Sequence, residues 1–419
     1  MSAFRIFLPL LMAIGIMTGC GPAAPAADGV QPPAATDPAA PVPEPEPQPN
    51  VTATLAFCGD AMSHMPMTRD AYDESAGVYD YGPMLRFVKP LAEQADYAVV
   101  NLETTFAGGP DYSGFPTFNT PDALGAALKN AGFDLFGTAN NHCMDQRYEG
   151  LARTLDVLDE LGVKHVGTYR SEEERAHSDG VVTVDVNGIR IAFLAYTYGT
   201  NGIPVSSKHP GTVNLFTTDY MSDGVALDTA RLKADLETAE ALEPDAVVVL
   251  MHWGVEYQRA PNEYQKAAAD FLFENGADIV IGSHPHVLQT MEKRTLTDAD
   301  GTARTGFVAW SLGNFMSAQN DEYTDTTVVL NVEVTKNPNT GKTEVTGVSY
   351  VPLLMLDREQ QVNGERFAVL DAPSAMAEYE AGDHSYISDA IYKKLQKCVS
   401  DCRSILGEPW RAETTQSGD

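Results

Sequence analysis

The sequence predicts an α/β fold: a four-layer αββα sandwich of two mixed β-sheets packed face to face, with helices on the outer faces. Three observations predict it. From Val51 onward, short apolar runs alternate with segments of helical spacing, the rhythm of parallel strands joined by helices. Antiparallel pairings interrupt that rhythm at Asn187-Gly188 and across Asn337 to Gly341, and the mixture implies two sheets. Several apolar runs also end in a residue type that binds metals, and in open α/β sheets the carboxyl ends of strands open onto one crevice.

Taken in order, Thr52–Cys58 reads as a strand, Pro83–Gln94 as a helix with Leu85, Val88 and Leu91 at helical spacing, and Ala95–Leu102 as a strand. Pro121–Ala131 is helical with Asp122 in its first turn, and Phe133–Ala139 is β. Tyr148–Leu161 is helical, with Leu151, Leu155, Leu158 and Leu161 on one side, and Gly162 is a natural stop. Val163–Gly167 returns as a short strand. Val181–Val186 and Ile189–Tyr196 flank Asn187-Gly188, which supplies the positive φ angles of a type I′ hairpin turn. The helices Thr229–Ala241 and Glu263–Asn275 lead into the strands Ala246–Met251 and Ala277–Gly282. Phe307–Leu312, Thr326–Thr335 and Lys342–Leu356 follow as strands. After Leu356 the pattern weakens until Ile387–Leu406, an amphipathic closing helix, and the tail from Glu408 reads as disordered.

The 419 residues carry a formal net charge of −30, from 58 acidic and 28 basic residues. A field of that sign disfavours nucleic acid and repels an anionic substrate unless cations in the site reverse the local potential. The N-terminus reads as a secretory signal, with Arg5 as its basic part and Ile6 to Met17 as an apolar stretch too short to span a bilayer. Met17-Thr18-Gly19-Cys20 resembles a bacterial lipobox, which makes Cys20 the lipidation site; an ordinary signal peptide with an incidental cysteine is the plainer alternative. Acyl chains contribute about 0.8 kcal/mol per buried CH₂, so a multiply acylated Cys20 would anchor the chain extracytoplasmically on the cell membrane. The Pro/Ala-rich stretch that follows reads as an extended tether. The expected organisation is a signal peptide over 1–20, a tether over 21–50, a main domain over 51–357 and a C-terminal extension over 358–419. Cys58, Cys143, Cys398 and Cys402 are too sparse for a disulfide framework, and Cys398 with Cys402 would allow only a strained local bridge.

The chemistry sits at the polar ends of the apolar runs. Asp60 ends the first and Glu103 the second; Asn140-Asn141-His142 follows the third; His252 ends the fourth, and His284-Pro285-His286 follows the fifth. Imidazole, carboxylate and amide oxygen together suit a divalent metal. Taken singly, each has a plainer reading: His252 as a hydrogen-bonded core histidine, Asp60 as a turn residue after Gly59. Convergence at strand ends outweighs those readings. Asn140, Trp253, Tyr257 and Asn314 are expected to line the crevice, although Trp253 and Tyr257 suit packing and Asn314 suits a tight turn equally well. Cys143, beside the proposed site, is an ambiguous neighbour. His165, His177, His209 and His384 lack the strand-end context and read as surface or structural.

Six segments carry a family resemblance: Cys58-Gly59-Asp60-Ala61-Met62-Ser63-His64, Asn101-Leu102-Glu103, Asn140-Asn141-His142-Cys143-Met144-Asp145, His252-Trp253-Gly254-Val255-Glu256-Tyr257, Gly282-Ser283-His284-Pro285-His286 and Ser311-Leu312-Gly313-Asn314-Phe315. In order and content they resemble the CapA family of bacterial poly-γ-glutamate capsule-synthesis proteins, which is in turn similar to the calcineurin-like metallophosphoesterases. The resemblance runs from about Val51 to Leu356. It implies a calcineurin-like metallophosphoesterase fold and two divalent cations (Mn, Fe, Zn or Mg) roughly 3.5–4 Å apart, which clamp the attacking and leaving oxygens of a phosphoryl centre. Under it, Glu103 bridges the cations, Asp60 and His286 hold the first, and Asn141, His252 and His284 hold the second. His142 is not a ligand under it, but matches a histidine that protonates a leaving group or stabilises transition-state charge. Asp145 would hold its tautomer or cap the next helix. One departure is plain. Where the superfamily has Asp-x-His, this chain has Asp60-Ala61-Met62, and Met is a poor ligand for hard cations. His64 is the candidate replacement; without it, a single metal is expected.

The function implied is that of a cell-surface lipoprotein with metal-dependent phosphoesterase-like character, in capsule polymer synthesis, export or anchoring. Its expected partners are an anionic polymer or phosphoester substrate and other capsule-synthesis membrane proteins. Two alternatives stand beside it: a non-catalytic polymer-binding or assembly factor, which Met62 favours, and a metal-dependent hydrolase or transferase of γ-glutamyl amides.

Overall fold

A computed structural model describes Gly21 and residues 47–221, 226–297, 301–362 and 365–411. The expected signal peptide, Cys20, most of the tether and the tail from residue 412 lie outside the described residues.

The chain enters as strand β1 (Val51–Ala61), short helix α1 (Met65–Asp70) and a small hairpin of β2 (Tyr72–Asp73) and β3 (Val78–Tyr79). Where one helix was expected over residues 83–94, two short ones form, α2 (Gly82–Leu85) and α3 (Lys89–Glu93). Pro90 explains the break, because its ring clashes with the carbonyl four residues back and it has no N–H to donate there. Then come β4 (Tyr97–Leu102), α4 (Ala123–Asn130), β5 (Leu135–Gly137), α5 (Arg147–Leu161), β6 (Lys164–Val166) and α6 (Glu172–His177). Gly162 ends α5 in the left-handed conformation, at φ 68°. The hairpin β7 (Val182–Val186) and β8 (Ile189–Thr197) turns through Asn187 and Gly188 at φ 56° and 80°. It is followed by α7 (Thr229–Ala241), β9 (Ala246–His252), α8 (Glu263–Glu274) and β10 (Ile279–Ser283). The chain finishes with β11 (Met291–Thr297), β12 (Ala303–Ala309), β13 (Asn314–Met316), β14 (Thr326–Lys336), β15 (Thr343–Val362), β16 (Glu365–Asp371), α9 (Ala372–Glu380), α10 (Asp389–Leu406) and β17 (Trp410–Arg411).

Both sheets are mixed. Sheet I runs β16-β15-β14-β1-β4-β5-β6, antiparallel as far as β1 and parallel beyond it. Sheet II runs β11-β12-β10-β9-β8-β7, with antiparallel strands at both edges. Their facing sides share one apolar core, which includes Leu55, Phe57 and Val99 from sheet I and Ile191, Phe193, Val248 and Ile279 from sheet II. Outside sheet I, Leu124, Leu128 and Leu158 of α4 and α5 pack on Val100 and Phe136. Outside sheet II, Leu232 and Leu236 of α7 and Ala268 and Leu272 of α8 pack on Val249 and Val280. The expected four layers are therefore present.

Residues after Leu356 do more than trail off. β15 continues and β16 pairs with it; Leu395 and Cys398 of α10 join the inner core beside Leu354 and Leu370. Within the described part of the tail from Glu408, Trp410 and Arg411 form β17, which pairs Trp410 with Val348 and Arg411 with Gly347. The four described cysteines are free thiols, and Cys398 donates to the Leu353 carbonyl rather than bridging to Cys402. No helix among the described residues is long and apolar enough to cross a membrane.

The parallel strands β1, β4, β9 and β10 bring their carboxyl ends to one edge. At Gly59 the register with β4 slips by one residue, a bulge that re-aims Asp60. A Cβ at position 59 would lie 1.9 Å from the Gly313 carbonyl oxygen. Overpacking of this kind typically costs about 1–3 kcal/mol, so Gly59→Ala should lower the melting temperature. It should also weaken metal binding through the displaced Asp60, and titration calorimetry with Mn²⁺ would show whether it does.

Candidate metal centre

Asp60 is the penultimate residue of β1, Glu103 follows β4, Asn140 to His142 follow β5, His252 closes β9, and His284 and His286 follow β10. All of these side chains are buried, together with Asn141. Three sets of ligand atoms lie within 4.8 Å of one another: Asp60, Glu103 and His286; Glu103, His252 and His284; and Glu256, His284 and His286. Glu103 is common to the first two sets. Asn141 completes the second, with its Oδ1 3.0 Å from His252 Nε2.

Outer contacts fix these rings and carboxylates. Asn101 Nδ2 donates to Asp60 Oδ1 at 2.8 Å, and His252 Nδ1 lies 2.8 Å from the Ser283 hydroxyl. This leaves His252 Nε2 turned inward, 3.5 Å from Glu103. The His284 backbone N–H donates to Asp60 Oδ2, and His286 Nδ1 lies 3.2 Å from the same oxygen, so one carboxylate ties the two sheets together. The backbone is strained here: His284, His286, Tyr257 and Asn201 have φ of 96°, 60°, 63° and 50°. Such conformations cost on the order of 1–3 kcal/mol each and gather at functional sites.

The electrostatics favour a bound cation. Burial, then the neighbouring Asp60 carboxylate, holds Glu103 well above the usual carboxylate range. Both Glu103 oxygens and His284 Nδ1 are buried without a hydrogen-bond partner. Burial, then the neighbouring histidines, holds His252 and His284 well below the usual imidazole range, so these rings are neutral, as metal ligands must be. A divalent cation would reverse the penalty on Glu103 and occupy the orphaned atoms. The donor set therefore fits the expected metals.

His142 sits beside this cluster. Its Nδ1 lies 2.7 Å from Asp145 Oδ2, which also accepts the Phe118 N–H, and its Nε2 is 4.0 Å from Glu103. Asp145 does not cap α5, which starts after Gln146 with no side-chain cap; its carboxylate lies against the His142 ring instead. Burial is what raises the Asp145 pKa.

Several expectations need correcting. His64 belongs to none of the ligand sets. Its carbonyl starts α1 by accepting from Met67 and Thr68, and its Nδ1 accepts the Ala318 N–H. Burial, then His286 and His142, lowers its pKa to about 4. Trp253 is not a crevice wall. It is fully buried in the outer core of sheet II, stacks on Trp310 and donates to that residue's carbonyl. Asn140 is equally buried and ties Leu102 to His142 rather than lining the crevice. Asn314 lies beside Asp60 in register and is buried like the ligands; its amide N–H groups donate to Gln319 and Thr324, and its Oδ1 has no hydrogen-bond partner. Tyr257 does line the rim, 43% exposed, with its ring 6.2 Å from His286. Cys143 packs with Leu151 and Leu155, and burial pushes its thiol up to about 12. His165, His209 and His384 lie against Asp159, Tyr148 and Tyr379.

Other site residues escaped the sequence reading. Glu256, four residues after His252, reaches His284 and His286. Asn201 bonds Asn141 and lies 3.3 Å from His142 Nδ1. Tyr198 covers His284 at 4.7 Å. Only Glu256 carried a signal, since it falls inside the quoted histidine motif.

The family model for the bacterial capsule synthesis protein PGA_cap matches residues 54–319, more than half of the chain. The chain belongs to this family. The matched stretch contains every candidate ligand from Asp60 to His286. Among family proteins, the chain is similar to the capsule biosynthesis protein CapA of Bacillus anthracis, 29% identical over 277 residues, 64% of this chain and 61% of that one. It is also similar to the PGA biosynthesis protein CapA of Bacillus subtilis, 28% identical over 268 residues, 63% of this chain and 64% of that one. These matches span less than two thirds of either relative. Among solved structures, a phosphatase from Mycoplasma pneumoniae aligns with a TM-score of 0.39 and 15% identity, over 72% of this chain and 94% of that one. A calcineurin-like phosphoesterase from Bacillus subtilis aligns at 0.38 and 12%, over 73% and 91%.

Proposed function

We propose that this protein is a metal-dependent hydrolase of phosphoesters that works at the cell envelope in capsule polymer synthesis, export or anchoring. One observation carries the chemistry: Glu103, buried with both oxygens unpartnered, is shared by two sets of metal-binding side chains. Family membership and the names of the CapA relatives support the capsule role. Asp60, Glu103 and His286 would hold one divalent cation, and Glu103, Asn141, His252 and His284 a second. When bound, such ions act as Lewis acids and lower the pKa of water to about 7. The chain's own residues do the rest. Asp145 accepts from His142 Nδ1 and turns Nε2 toward Glu103; with both ring nitrogens protonated, Nε2 can pass its proton to the leaving oxygen, which leaves the ring neutral with its remaining proton on Nδ1.

The test is elemental analysis of the purified full chain, together with hydrolysis of an aryl phosphate with and without Mn²⁺. Bound divalent metal and Mn²⁺-dependent turnover are expected. An absence of metal, with no thermal shift on adding Mn²⁺, Fe²⁺ or Zn²⁺, would remove the proposal.

Met62 favours a second reading. It is buried where the Asp-x-His pattern would supply an imidazole, and His64 does not replace it. The first position is then one ligand short of that pattern, which weakens the case for a two-metal clamp and so for two-metal catalysis, in favour of an assembly factor. Full metal occupancy with no turnover would decide for that reading. Release of glutamate from poly-γ-glutamate would instead indicate amide cleavage.

Membrane anchoring through Cys20 belongs to the same proposal. Cys20→Ser should move the chain from the membrane fraction to the medium or periplasm. Retention in the membrane at wild-type level would show that Cys20 is not the anchor.

A further inference from the structure

Gln319 links the metal centre to a second cavity. Its side chain accepts from Asn314, the neighbour of Asp60, and donates to Tyr257, whose ring faces His286. Gln319 also lines a cavity of about 300 Å³, together with Asp321, Asp325, Arg358 and Lys394. Arg366 lines it too, but its guanidinium is engaged by Asp357 at 2.6 and 3.0 Å.

Arg358 stands out. It is only 7% exposed, in a strand that lies outside the stretch matched by the family model. Its Nη1 donates to the Tyr386 carbonyl at 3.1 Å, and its guanidinium lies over the Tyr386 ring. Its Nε and Nη2 are buried and have no partner. Those two nitrogens share one edge of the guanidinium, the edge that offers two parallel N–H donors to a carboxylate or phosphate. Leaving charged donors buried and unmet is costly, so the edge calls for an oxyanion.

The remaining charges choose which oxyanion. With Arg366 and Asp357 cancelling, the cavity presents Arg358 and Lys394 against Asp321 and Asp325. A phosphate dianion would face both aspartates uncompensated. A carboxylate carried beside an ammonium would meet a partner for each charge.

We propose that this cavity is a subsite for an amino-acid head group, with its carboxylate on the Nε/Nη2 edge of Arg358 and its ammonium toward Asp321 and Asp325. The use of the subsite rests on the metal-centre reading, since a substrate held here would extend past Gln319 and Tyr257 toward His286. Its occupancy does not depend on that reading.

The experiment is titration calorimetry on the full chain, metal-free after chelation so that carboxylates cannot report on the metal centre. The probes are L-glutamate, glutarate (the same carboxylates without the ammonium) and inorganic phosphate. Saturable glutamate binding is expected, with glutarate and phosphate weaker. Charge-assisted hydrogen bonds of this kind correspond to about a 10- to 100-fold loss of affinity when removed, so Arg358→Gln should weaken glutamate by that factor. Asp321→Asn, at an exposed position on the cavity wall, should weaken glutamate and spare glutarate; it carries the test if Arg358→Gln does not fold. Absence of glutamate binding, equal binding of glutarate, or binding of phosphate alone would each overturn the subsite. So would unchanged glutamate affinity in a folded Arg358→Gln, which would leave Arg358 with only its tie to Tyr386. Glutamate binding in a chain that takes up no divalent metal would support the subsite and remove the metal-centre reading.

Discussion

Glu103→Gln is expected to stabilise the metal-free protein at pH 7 and to remove most of the stabilisation that metal gives. The two effects have opposite signs because one carboxylate causes both. In the metal-free fold Glu103 is held well above the usual carboxylate range, by burial first and by Asp60 next. A carboxyl group whose folded pKa is raised favours folding when protonated, so its contribution is best at low pH. That contribution is lost as pH rises from the ordinary glutamate value through the raised one. At pH 7 the wild-type chain therefore bears the cost of keeping this buried carboxyl group protonated, or of burying its charge beside Asp60, a cost the neutral glutamine amide does not have. A gain of about 1–3 kcal/mol is expected for the variant, and it should shrink as pH falls into the ordinary glutamate range. With metal present the order reverses. Ligand at a thousand times its dissociation constant stabilises by about 4 kcal/mol, and a chain without the bridging carboxylate should lose most of that. Urea denaturation with and without Mn²⁺ measures both. A Glu103→Gln chain that keeps the full metal-induced shift would show that Glu103 does not bridge.

His142→Asn should leave metal content unchanged while cutting turnover about 10²–10⁴-fold on an alkyl phosphate, the usual contribution of general acid–base catalysis. The ring lies at the edge of the cluster, is held by Asp145 and belongs to none of the ligand sets. On an activated aryl phosphate, whose leaving group needs no proton, the loss should be much smaller. Asn141→Ala behaves differently: its Oδ1 lies beside His252 Nε2, so metal and activity on both substrates should fall together. An unchanged alkyl phosphate rate in His142→Asn would eliminate the proton-transfer role.

Elements with strong local signals were legible in the sequence. The Asn187-Gly188 hairpin, the α7 helix and the Gly162 stop lie where spacing and turn chemistry placed them, because each depends on contacts a few residues apart. β11 was not legible. Its Met291-Glu-Lys-Arg-Thr-Leu-Thr297 sequence reads as polar, and it is a strand because β12 offers a free edge. β17 is similar: two residues cannot form a strand alone, and β15 supplies the partner.

The site divides along the same line. Asp60, Glu103, Asn141, His252, His284 and His286 could be named from sequence alone. A polar metal-binding residue that ends a buried strand has its position set by the strand, and parallel strands share one carboxyl edge. Which neighbours face that edge depends on the angle at which the chain leaves each strand, and this angle is set by packing from distant segments. Trp253 follows His252 yet points into the opposite layer, against Trp310. Asn140 is consumed by the Leu102 carbonyl, and His64 by α1 and the Ala318 N–H. Glu256 turns back through a left-handed Gly254 to reach His284 and His286. Arg358 shows the same division most sharply. In the sequence it is one arginine past the point where the pattern fades. Only the packing of β15 against Tyr386 buries it and leaves one edge of its guanidinium unmatched, because a hydrogen-bond deficit is a property of the whole set of neighbours and not of any one residue.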